Sequence, residues 1–169
     1  LLTMTATPIP RTLQLVTGGD MDVSLITQKP TGRGETHTKL IPLDRVDEII
    51  ERLQNVIEKG QKIYWVCPLI DESESLNLSN VLARYEHLVA RFGPERLSLV
   101  HGQMKPDEKN TNMSRFVDGS ASILVATTVI EVGVDVPQAT VMVIEHAQQF
   151  GLAQLHQLRG RIGRGSEDA

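Results

Sequence analysis

Aromatic residues make up only 4% of the 169 positions. That scarcity excludes an aromatic-rich binding module and leaves Leu, Ile and Val to build the core. A single cysteine, Cys67, excludes an internal disulfide, and no Cys/His cluster has the spacing of a zinc site, so no metal ligands are expected. One cysteine also fits a reducing, cytoplasmic compartment. No apolar run is long enough to cross a membrane, and no signal-peptide pattern is present. An excess of positive charge is missing too. The net charge is −4 and the pI about 5.7, which excludes a broad basic surface of the polybasic kind but leaves nucleic-acid contact through a few local groups.

What is present is enough apolar residue, 40%, for one packed core. The chain starts and stops abruptly in motif-like sequence, which predicts a piece of a longer protein. Pro30-Thr31-Gly32-Arg33-Gly34-Glu35 lacks apolar periodicity and reads as a linker. The expected division is a carboxyl tail of one domain over 1–28, a linker over 29–36 and a second domain over 37–169. Residues before about Pro30 are expected to lack most of their packing partners.

After the linker, helical and strand patterns alternate. Leu43, Val46, Ile50, Leu53 and Ile57 recur at helical spacing, with Gly60 as a stop. Lys62 to Cys67 reads as a short apolar strand. Leu78, Val81, Leu82, Tyr85, Leu88, Val89 and Phe92 mark a second helix, closed by Gly93-Pro94. Leu97 to Val100 reads as a strand, and Pro106-Asp107-Glu108 as a helix start. That helix runs to about Gly119 and is weakened by Asn110 to Asn112. Ile123 to Ala126 and Val141 to Ile144 are continuous apolar runs, the pattern of strands buried on both faces. Leu152, Leu155 and Leu158 indicate a last helix. The βαβα order predicts an α/β fold: an open parallel sheet with helices on both faces, and working residues on loops at the carboxyl ends of the strands.

Four segments carry candidate chemistry. In Gln157-Leu-Arg159-Gly160-Arg161-Ile-Gly163-Arg164, three arginines are interleaved with glycines. Arg161 and Arg164, three apart, share a face if the helix continues through them. Planar, permanently charged guanidinium groups suit the oxygens of a transferring phosphoryl group, and a solvated basic helix end is the bland alternative. In Thr127 to Pro137, Thr127 can offer a hydroxyl to a phosphate and Asp135 can accept from a ribose hydroxyl, or both can be cap and turn residues. His101-Gly102 follows a strand and brings backbone N–H groups near a phosphate, or is only a turn. Thr5-Ala6-Thr7 precedes two prolines, and alone reads as a strand-to-helix turn.

The order of these segments resembles that of superfamily 2 helicases. Thr5-Ala6-Thr7 resembles motif III and Thr127 to Asp135 motif V. Gln157-x-x-Gly160-Arg161-x-x-Arg164 resembles motif VI, and His101-Gly102 the segment after motif IV. Val66-Cys67-Pro68-Leu69-Ile70-Asp71-Glu72 and Ile144-Glu145-His146-Ala147 resemble the RecG family more finely, with the transcription-repair coupling factor Mfd second. The resemblance implies a RecA-like domain of the P-loop NTPase type, the second motor domain of an ATP-dependent DNA helicase acting on branched or forked DNA. It implies an arginine finger at Arg164, with Arg161 beside it and Gln157 coupling nucleotide state to domain closure. It places Gly133 and Asp135 at the nucleotide, Thr127, Gly102 and His101 at DNA, and Thr5 and Thr7 at the coupling between motor domains. ATP and Mg²⁺ would be held mainly by a RecA-like domain 1, because this sequence has no Gly-x-x-x-x-Gly-Lys-Ser/Thr. A non-catalytic nucleic-acid docking domain is the alternative from another class. A metabolic nucleotide-binding protein is weaker, since no Gly-rich dinucleotide fingerprint follows a strand.

Overall fold

The computed structural model describes residues 24, 34–69, 74–127, 136–165 and 169. The chain divides into two compact units, 1–31 and 32–169, and every element below belongs to the second. The expected packing of the segment before Pro30 lies outside the described residues.

The elements follow the sequence pattern closely. A 3-10 turn over Leu43–Arg45 leads into α1, Val46–Glu58. This helix buries Ile50 and Leu53 and half-buries Val46, Ile49, Val56 and Ile57, one apolar stripe. Gly60, at φ +74°, turns the chain out. Strand β1, Lys62–Cys67, is buried along its whole length. Helix α2, Glu74–Phe92, ends at Gly93, whose φ of +87° is left-handed. Strand β2 is Leu97–Val100, helix α3 Pro106–Asp118 and strand β3 Ile123–Thr127. Strand β4, Ala139–Ile144, is followed by a 3-10 turn over Ala147–Gln149 and helix α4, Leu152–Arg159.

Helix α3 forms despite its poor formers because one of them reaches across the layer. Asn112 Nδ2 donates to the Leu99 carbonyl at 2.8 Å, and Ser98 Oγ donates to the Asn112 carbonyl at 2.8 Å. The two bonds staple α3 to β2. At its other end the buried Lys62 ammonium donates to the Val117 carbonyl at 2.8 Å and lies 5.8 Å from the Phe116 ring centroid. Burial lowers the Lys62 pKa from the usual lysine value, and Asp118 opposes that.

The four strands form a parallel sheet in the order β2-β3-β1-β4. Val66 pairs with Ala126 on one side and Ile144 on the other. Alternate side chains supply two cores. Tyr64, Val66, Val100, Leu124 and Ala126 pack with Phe116, Phe150, Leu158 and Ile162. Ile63, Trp65, Cys67, Ile123 and Val125 pack with Ile50, Leu53, Val81, Leu88 and Phe92. Helices therefore cover both faces, as expected from the continuous apolar runs. β4 starts two residues earlier than the apolar run alone indicates. Lys62 pairs with Ala139 and Ile63 with Val141, so Thr140 is an extra residue that breaks the pattern.

Candidate functional site: two ends of one sheet

The first group of site residues lies where β2 and β3 end. Val100 and Ala126 pair, so His101 and Thr127 stand at neighbouring strand ends. Thr127 is 3% exposed, and its hydroxyl has no hydrogen-bond partner among the described residues. His101 is half-buried, and its Nδ1 is likewise unpartnered among them. Burial lowers the His101 pKa, Lys109 lowers it further and Glu108 opposes, which favours the neutral ring at pH 7. Gly102 faces open space: a Cβ built there meets nothing within 4 Å. Its carbonyl accepts from Lys109 Nζ at 2.8 Å. A hydroxyl, an imidazole, a lysine and an open stretch of backbone thus cluster at this edge, a donor set that suits an anion.

The second group follows α4, and here two expectations fail. Helix α4 ends at Arg159 and does not run through Arg161 and Arg164, so a shared helix face is not what places them. Arg161 N–H still bonds to the Leu158 carbonyl at 2.9 Å, but Gly163 adopts φ +61° and turns the chain. Nor does the arginine segment sit at the carboxyl ends of the strands. Gly163 N–H donates to the carbonyl of Ala139, the first residue of β4, at 3.3 Å. A Cβ on Gly165 would stand 3.0 Å from the Pro137 carbonyl oxygen. A short helix that runs back past β4 delivers its loop to the amino end of that strand.

The loop is built to hold its shape. Ile162 is buried in the core, while Gln157 and Arg164 are exposed and Arg161 is half-buried. Arg164 Nε donates to the Gly160 carbonyl at 2.9 Å, which folds the side chain back along the turn. Arg159 instead reaches the segment ahead of α1, its Nη2 donating to the Thr36 carbonyl at 2.8 Å. Residues 34–37 also bind the chain beyond the loop, through Gly34 N–H to Gly165, His37 N–H to Ala169 and Ala169 N–H to Glu35. β4 pairs with β1 alone among the described residues, and residues 36–43 line one pocket with Met142 to His146 and Arg159. A fixed turn with an exposed, permanently charged guanidinium can meet a phosphate brought from outside.

The structure brings His101, Gly102 and Thr127 together, and Gln157, Arg161 and Arg164 together, at opposite ends of the strands. Gly133, Asp135, Thr5 and Thr7 lie outside the described residues. Among the described residues no group of three or more His, Cys, Asp or Glu side chains is placed to hold a metal ion, and no helix is long and apolar enough to cross a membrane.

One cluster escaped the sequence reading. Glu145 continues the ladder past β4, its N–H bonding to the Val66 carbonyl at 3.0 Å. Its Oε1 accepts from Trp65 Nε1 and from Arg84 Nε, each at 2.5 Å. The Arg84 and Glu145 side chains are 16% and 11% exposed, and the guanidinium lies 5.4 Å from the Trp65 ring centroid. The available signal was a tryptophan inside a buried strand, whose indole N–H must find an acceptor.

Comparison with known proteins adds to this geometry. The helicase conserved C-terminal domain family matches residues 45–166. The ATP-dependent DNA helicase RecG of Acidithiobacillus ferridurans is 53% identical over 167 residues, 99% of this chain and 24% of that protein. RecG of Escherichia coli strain K12 is 51% identical over 166 residues, 98% of this chain and 24% of that protein. The chain thus spans about a quarter of the length of these curated relatives. Among solved structures, RecG bound to a three-way DNA junction matches with a TM-score of 0.75 and 47% identity, covering 95% of this chain and 21% of that one. Saccharomyces cerevisiae Dbp5 bound to RNA and ADP BeF3 matches with a TM-score of 0.66 at 18% identity, covering 98% of this chain and 42% of that one, a likeness of fold alone.

Proposed function

Because the chain belongs to the helicase conserved C-terminal domain family, we propose that it is the second RecA-like motor domain of a RecG-type, ATP-dependent DNA helicase of the cytoplasm, acting on branched or forked DNA. The likeness to RecG over 95% of the chain supports the reading, and the relatives above favour RecG over Mfd. Within the chain, the observation that carries it is exposed Arg164 on a turn held by its own bond to the Gly160 carbonyl. Residues 1–28 are the tail of the first motor domain, 29–36 the linker and 37–169 the second domain. The bonds from residues 34–36 to Gly165, Ala169 and Arg159 already tie that linker to the second domain.

In this reading a nucleotide with Mg²⁺ rests chiefly on the first motor domain, and its phosphates are met from this side by Arg161 and Arg164. The residues present fit that division. The arginine loop offers cationic donors, and the first domain supplies the phosphate cradle that this sequence lacks. Gln157, on the exposed side of α4, senses the closed cleft, and Gly133 and Asp135 face the ribose. Thr127, Gly102 and His101 hold the tracked strand through its phosphates, at the other end of the sheet, while Thr5 and Thr7 couple the two domains. Closing the cleft on one edge of a stiff sheet displaces the DNA grip on the other, which is how a motor domain turns nucleotide binding into movement.

The test is Arg164→Ala in the full-length parent. ATP turnover should fall about 10³-fold or more while the protein stays folded, the scale set by arginine fingers in related phosphoryl transfer. Near-normal turnover would remove the assignment.

A further inference from the structure

Helix α4 is a poorly anchored element for one that carries so much. Of its eight residues, Leu158 is buried and Leu155 half-buried, and the rest are exposed. Its own packing therefore does little to fix it, and its placement depends on what holds its two ends. The carboxyl end is fixed by buried Ile162, by Arg159 on Thr36 and by Gly163 on Ala139. The amino end is reached from β4 through His146, which adopts φ +47°, a left-handed conformation costly for a side chain other than glycine. Such a conformation persists only where its surroundings impose it. On one side of it is Phe150, 8% exposed, and on the other is Glu145.

Resting on the function proposed above, we propose that Glu145 is a positioning residue for ATP turnover: gripped by Trp65 and Arg84, it fixes the exit of β4 and so the line of α4 and its arginine loop. The grip spans three elements. Trp65 comes from β1, Arg84 from α2 and Glu145 from the end of β4. A part-buried ion pair of this kind contributes little net stability, because desolvation offsets attraction, but it demands one geometry. That demand is what a helix without a strong apolar face requires.

The experiment uses the full-length parent and reads kcat and KM for DNA-stimulated ATP hydrolysis alongside Tm. Glu145→Ala should lower kcat about tenfold or more, since small misplacements of reacting groups are expensive, with KM for ATP held within about twofold. The charge-neutral pair Arg84→Met with Glu145→Gln keeps an acceptor for the indole and should recover most of the lost kcat. If Glu145→Ala does not fold, Trp65→Phe, which removes the indole donor together with part of the ring, carries the same expectation on kcat. Wild-type kcat in a folded variant with a lowered Tm overturns the proposal, since that is the signature of a merely structural pair. Arg164→Ala is run beside it. Turnover surviving that change sinks the motor reading itself, whereas loss there with normal kcat at Glu145→Ala sinks only the positioning role.

Discussion

Cys67 shows how far a single residue's chemistry is decided by its seat. It closes β1 at 5% exposure, and burial pushes its thiol up to about 12, with Glu145 adding to the rise and Arg84 opposing it. Its folded pKa lies above the ordinary thiol value, so its contribution to stability is complete below about 9 and is lost as pH climbs toward 12. At pH 8 the folded chain keeps this thiol in its protonated form. Alkylation at pH 8 should therefore be slow for the native chain and reach the ordinary thiol rate only in denaturant. Native labelling within about tenfold of the unfolded rate would contradict this burial. The sequence announced a lone cysteine in an apolar run, which is how buried cysteines present themselves. It did not announce which acceptor Trp65, two positions earlier, would find, because the partner is supplied from a distant part of the chain.

At the scale of elements, periodicity was a good guide to what forms and a poor one to where a loop is delivered. The stripes of α1 and α2 and the stops at Gly60, Gly93 and Gly119 are all written in local sequence. The bulge at Thr140 is not, since it depends on pairing with Lys62 and Ile63. The end of α4 at Arg159 is also hidden, because Arg161 and Arg164 remain compatible with helical spacing until Gly163 turns the chain. Gly163 is accordingly a sensitive position. A Cβ there would stand 3.1 Å from Thr36 Oγ1 and 3.2 Å from Ala169 Cβ, and φ +61° strains any side chain. Gly163→Ala should cost about 1–3 kcal/mol in denaturant unfolding of this chain and depress ATP turnover of the parent. Unchanged stability would show that the turn relaxes freely.

For the whole molecule, the α/β class and the parallel sheet followed from alternating elements, while the strand order did not. The order β2-β3-β1-β4 places the His101–Thr127 edge and the arginine loop at opposite ends of the sheet, a separation that motif order along the chain does not reveal. On the motor reading this chain holds one side of the nucleotide site. Purified alone, it is expected to release no phosphate from ATP with or without DNA, and DNA-stimulated turnover by the chain itself would contradict the two-domain site.

The same strand order shapes how the molecule emerges from the ribosome. Strand β1 lies between β3 and β4, and Trp65 waits 80 positions for Glu145. At synthesis rates of about 5–20 residues per second, that wait is on the order of 4–16 s. Throughout it the edge of β1 that later pairs with β4 lacks its partner strand and leaves backbone N–H and C=O groups unpaired. That edge is a place where two unfinished copies can pair wrongly. Slower synthesis of the stretch between β1 and β4 should therefore raise the aggregated fraction even though the finished fold is unchanged.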